Sequence, residues 1–304
     1  MLKSKSKIFL YVFTLAFIST GGNTIFNVFA HSFSTDETSL FLSFVDEIKV
    51  QDKLIKKFVS EDDYDKAEKH LSRISQLYTD EIRYELSERN ERIANEITET
   101  ISVIGDHIIQ KTAKEEIMNS IDNLDAILDE SVSVRLEAVS LNNSTVHALH
   151  FAQLLNSLDS NYKHSFIIPH FLPSSETSKA MHDSANSQHK EGYKINEPTV
   201  SNNKTISDFI SYETAKGLIS VIKNIYNSTV KQDVTETTSV QLDKMVDALN
   251  QLGLVVDSKL PYIEIAKLIH GIIHPNLMEV YKLDHININE SKTIAGSNNI
   301  LSKR

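Results

Sequence analysis

Eight glycines and five prolines in 304 residues leave this chain few places to turn. A large β-protein needs many tight turns, and Gly and Pro supply most of them. The scarcity therefore favours long helices. There is also no Cys, which removes disulfides, thiolate metal sites, iron–sulfur clusters and a Cys nucleophile. Stability has to come from packing, and a 40% hydrophobic content is enough to build cores.

Helical spacing of apolar residues recurs along most of the chain. Ser34 and Glu37 form an S-x-x-E capping box. Phe41, Phe44, Val45, Ile48, Ile55 and Phe58 then predict a helix over about 36–59. Tyr64, Ala67, Leu71, Ile74 and Leu77 predict a second, capped by Ser60 with Asp63. The stretch "DEIRYELSERNERIANEITETI" reads as a charged third helix, with Glu85–Arg89 and Glu88–Arg92 as i,i+4 pairs. Gly105 ends it or sits in a kink. "KTAKEEIMNSIDNLDAILDE" is a further helix, and the Val-rich alternation "SVSVRLEAVS" suggests a short extended piece. A helix over about 145–161 follows.

Between about 165 and 204 the periodicity dissolves into Ser, Asn and isolated charges, the composition of a flexible linker. Beyond it lie helices at 205–229 and 237–256, the latter with a clear stripe of Leu242, Met245, Val246, Leu249, Leu252 and Val256. Pro261 opens another helix, which Pro275 should break or kink. The predicted class is all-α, with two antiparallel helical bundles, 31–164 and 205–290, joined by a linker at 165–204 and followed by a tail at 291–304.

The first 30 residues read as an export signal. Lys3, Lys5 and Lys7 precede an apolar run from Ile8 to Ile18, and Val28 and Ala30 place small side chains before His31. Eleven apolar residues are too few for an ordinary membrane span. The segment is either cleaved before His31 or retained as an N-terminal anchor. Cleavage carries the net charge from −10 to −13. Such acidity argues against nucleic acid and anionic membrane surfaces as partners. In an exported chain, Asn142, Asn143, Asn203, Asn227 and Asn289 lie in glycosylation sequons.

Catalytic signatures are missing: there is no H-E-x-x-H, G-x-S-x-G, Walker loop or G-x-G-x-x-G. No His has an acid three residues before it, so the Glu-x-x-His pattern of di-iron bundles is absent as well. Histidine offers the remaining chemistry. A mature N-terminal His31 would combine its α-amine and imidazole in one chelate, and such nitrogen donors suit copper(II). His270 and His274 in "HGIIH" stand at i,i+4, good spacing for two metal ligands. Equally, His274 before Pro275 fits a cation at a helix C-terminus. His147 and His150 in "HALH" are a further candidate pair, or part of the core. His182 and His189 fall in the linker. Glu81, Glu85, Glu88, Glu91, Glu96 and Glu99, interleaved with Arg83, Arg89 and Arg92, read as a solvated ion-pair face.

The stretches "AHSFSTDETSLFLSFVDEI", "YELSERNERIANEI", "ILDESVSVRLEAVSLNNSTVHALHFAQLLN", "YETAKGLISV" and "IHGIIHPNLMEVYKL" together resemble a family of exported helical-bundle proteins of ammonia-oxidising archaea. The resemblance covers most of the chain outside 165–204. It implies export, a helical fold and an archaeal cell surface. That family has no assigned activity, so no catalytic residue carries over. Its organisms depend heavily on copper, which adds context to His31.

The reading is an exported, non-catalytic binding or scaffold protein that meets a protein partner at the cell surface, without a cofactor. The alternative is a copper-binding protein that uses His31 with further histidines.

Overall fold

The structure is a computed structural model, and it describes residues 35–166, 205–233 and 238–283. The expected signal, His31, Ser34, most of the expected linker and the tail lie outside these residues. Every regular element described is helical: α1 Thr35–Ser60, α2 Tyr64–Leu77, α3 Asp80–Gln110, α4 Lys114–Arg135, α5 Ala138–Leu141, α6 Ser144–Ser165, α7 Phe209–Ser228, a 3-10 turn Val230–Asp233, α8 Ser239–Asp257, α9 Tyr262–Leu268, a π turn Ile269–Ile273, and α10 His274–Tyr281. The all-α class stands as expected. No helix among the described residues is long and apolar enough to cross a membrane.

Short polar side chains start the helices. Asp63, Thr79, Asn143 and Asp208 accept from backbone N–H groups in the first turns of α2, α3, α6 and α7. The turns explain how the chain manages with so few glycines. Asp62, Lys111, Lys259 and Lys282 take the left-handed backbone conformation that Gly usually supplies, and among the described residues no Gly does. Each such turn costs on the order of 1 kcal/mol, which the packed helices on either side offset.

Helix α1 is central. It packs against α2, α4, α6 and α7, and it buries Phe44, Ile48, Ile55 and Phe58. The packing is not divided at 165–204. Helix α6 lies along α7, α1 touches both, and the buried residues of both expected bundles form one cluster. Three buried tyrosines fasten the C-terminal helices to it. Tyr162 donates to Leu260 O at 2.5 Å, Tyr212 to Val256 O at 3.0 Å and Tyr226 to Leu242 O at 2.7 Å. An apolar stripe identifies the buried face of a helix but not the helix it meets, so sequence periodicity alone suggests two bundles.

Two local expectations are corrected and a third takes a specific form. "SVSVRLEAVS" is extended only at Leu136 and Glu137: α4 runs through Arg135, where Ser131 and Arg135 are buried, and packing outweighs the weak strand preference of Val132 and Val134. Gly105 neither ends nor kinks α3. The kink is at Asn90 (φ −157°, ψ 97°), whose side chain accepts from Ile93 N and so restarts the helix. Arg92 bonds Glu96 and Glu130, and Glu85 receives Arg135. The expected break or kink at Pro275 takes the form of the π turn: α9 stops at Leu268, and Pro275 stands in the first turn of α10. The N–H of His274 bonds Ile269 O, five residues back, and this wider turn relieves the clash a proline ring makes with the carbonyl four residues earlier. Asn276 Nδ2 then donates to Ile272 O at 2.6 Å.

Candidate functional site

The π turn brings together the densest group of expected ligands. His270 and His274 face the same way, with ring centroids 5.2 Å apart and planes at 67°. Asp159 of α6 approaches them. Its Oδ2 accepts from Tyr262 Oη at 3.0 Å and lies 3.5 Å from His270 Nε2. His270 is 44% exposed. The hydrogen bond it donates to Asp159 raises its pKa above the ordinary value. His274 is buried. Burial, then the nearby His270, pushes its pKa down to about 4. Its Nε2 and Asp159 Oδ1 are buried without a hydrogen-bond partner. The helix continues past His274 into α10, so the expected C-terminal dipole role does not apply.

The other histidines serve different ends. His150 Nε2 sits 3.1 Å from Asp46 Oδ2, which joins α6 to α1, while His147 lies on the half-buried side of α6. Among the described residues, no group of three His, Asp or Glu side chains is placed to hold a metal ion. His31, His182 and His189 fall outside the described residues, as do Asn203 and Asn289. Asn142, Asn143 and Asn227 are exposed, as sequon residues should be. Asn143 also caps α6.

Sequence reading passed over two polar groups in the core. His70 Nδ1 bonds Gln51 Oε1 at 2.8 Å, and Gln51 Nε2 donates to Thr214 Oγ1 at 3.2 Å. This network links α2, α1 and α7. The imidazole stacks on Phe58 with centroids 5.4 Å apart, and burial pushes its pKa to about 4. One signal was available: His70 falls in the apolar row with Ala67, Leu71 and Ile74. The second group is Asp52 and Asp125, between α1 and α4. No apolar spacing marks them.

The charged face of α3 is a surface, as expected. Glu81, Glu88, Glu91 and Glu99 are exposed. Its arginines are drawn to local acids: Arg83 to Asp80 at 3.0 Å, and Arg92 to Glu96 and to Glu130 of α4. Two large apolar groups, Tyr84 at 64% and Ile109 at 68% exposure, stand near its two ends. A shallow polar groove of about 290 Å³ opens elsewhere, lined by Lys69, Ser72, Arg73 and Gln76 of α2 and by Asp208, Ile210 and Ser211 at the start of α7.

No family model, no curated protein and no solved structure matches this chain. The archaeal resemblance therefore rests on the quoted stretches alone.

Proposed function

We propose that the chain is an exported, non-catalytic binding or scaffold protein that meets a protein partner at the outer cell surface. The observation that carries this reading is the outer face of α3. The helix has 31 residues and is about 46 Å long. Its outward carboxylates Glu88, Glu91 and Glu99 are flanked by exposed Tyr84 and Ile109. Such a face suits a partner with basic groups and an apolar rim, since complementary charge governs approach and register. Binding of this kind weakens as salt rises. The test places a photo-crosslinking residue at Glu91, and separately at Lys267 as a control, in the naturally exported chain. A defined product from position 91 that disappears in the Glu88→Lys/Glu99→Lys variant supports the reading. Equal crosslinking from both positions, or a product indifferent to charge reversal, overturns it.

A second reading is copper binding through His31 with further histidines. The approach of the His270 and His274 rings supports it. One copper per chain beginning at His31, lost in His31→Ala, is the outcome it requires.

A further inference from the structure

Asp52 sits on α1 with its side chain wholly buried, and neither carboxylate oxygen has a hydrogen-bond partner in the ordinary sense. It is within hydrogen-bonding reach of Asp125 on α4, whose Oδ1 is likewise buried and unpartnered. Two ionised carboxylates cannot bond each other, because both only accept. Leaving both charged here would bury an unpaired negative charge against a second one, which is among the costliest arrangements a protein can hold. A single proton between them joins one Asp52 oxygen to Asp125 Oδ1 and removes one of the two buried charges.

We propose that Asp52 and Asp125 form a proton-binding site, an acid–carboxylate pair that holds one shared proton and joins α1 to α4. Asp52 carries the proton and donates to Asp125. Lys56 Nζ lies 3.2 Å from Asp125 Oδ2 and supplies the counter-charge for the carboxylate that accepts. The lysines that act on Asp52, Lys56 and Lys49, both lie on α1. Lys56 also binds Asp122 at 2.6 Å, and Lys49 binds Asp129 at 2.5 Å. The lysines therefore already have carboxylate partners, and the proton is the ligand that the inner oxygens still need. In agreement, burial first and Asp125 second raise the Asp52 pKa well above the usual carboxylate range, against the weaker pull of Lys56 and Lys49.

The site has a sign that can be read. A group whose pKa is raised on folding contributes fully below its unfolded value and loses that contribution as pH rises through its folded value. Asp52→Asn keeps a donor for Asp125 but cannot ionise. The ratio of its folding constant to that of wild type should therefore grow with pH above about 4, up to tenfold per unit, until the native pair itself titrates. A ratio independent of pH overturns the proposal. Infrared spectroscopy of the wild-type protein at pH 7 gives an independent readout, a protonated-carboxyl C=O band displaced by deuterium exchange. Asp52→Asn or Asp125→Asn should remove that band. Its absence from wild type overturns the proposal even if neither variant folds.

Discussion

On one side of α1, Gln51 joins His70 and Thr214 in a neutral network in which each amide atom has a partner. One residue further along, Asp52 faces α4 and has only another acid to meet. Both side chains are fully buried. They differ in how burial is made tolerable: Gln51 by complementary donors and acceptors, Asp52 by a proton taken from solvent. The consequence is opposite sensitivity to pH. His70 keeps its Nδ1 hydrogen on Gln51, so its Nε2 is a bare nitrogen in an apolar pocket beside Phe58. Acid therefore threatens the α1–α2–α7 side, and alkali the α1–α4 side. One helix carries both limits.

The largest effects should come from the neutral side. Gln51→Leu leaves His70 and Thr214 with unmet polar atoms and should cost about 3 kcal/mol in chemical denaturation. The acid limb should be of similar size. A pKa lowered on folding gives stability that is full above the unfolded value, 6.5, and lost as pH falls through the folded value, about 4. For His70 this amounts to about 3 kcal/mol across that window. His70→Gln should flatten the acid limb and leave the alkaline one unchanged. Buried His274 titrates in the same window and will remain as a residual slope.

A packing change can separate the two sides. Gly217 of α7 lies against Val50, the residue before Gln51, and a Cβ there would stand 2.6 Å from Val50 Cγ1. Gly217→Ala must push α7 from α1, and Thr214 is on the same helix. The expected cost is about 2 kcal/mol, and the Gln51 network should weaken with it. The alkaline limb set by Asp52 should keep its shape. If both limbs shift together, the two sides of α1 are coupled and do not titrate independently.

How much of this the sequence displayed depends on what carries the signal. The bounds of α1, α6, α7 and α8 follow from apolar spacing and come out within a few residues of 36–59, 145–161, 205–229 and 237–256. The approach of His270 to His274 was visible in their i,i+4 spacing. Asp159 was not, because it meets Tyr262 and the pair across about a hundred residues of chain. In the run "KVQDKL" polar residues interrupt the apolar stripe of α1, so spacing does not mark Gln51 or Asp52 as core. Only the arrival of α4 and α7 on both flanks of α1 buries Gln51 and Asp52. Long-range pairing of helices is the information that periodicity lacks.

The smallest effect gives the finest test of the acid side. Lys49 is three residues before Asp52 and binds Asp129, which is 70% exposed. As an ion pair with one solvated partner it is worth less than about 1 kcal/mol, so Lys49→Gln should hardly move overall stability. Its positive charge nevertheless lowers the pKa of Asp52. Removing it makes ionisation of Asp52 harder, so the proton stays bound to higher pH and the alkaline limb should move upward. The acid limb, governed by His70 on the other side of the helix, should not move. A shift of the alkaline limb downward, or an equal shift of both limbs, would mean that the titrating group is not the one facing Lys49. Following the infrared band of the shared proton against pH in Lys49→Gln and in wild type reads this directly, without requiring the protein to unfold.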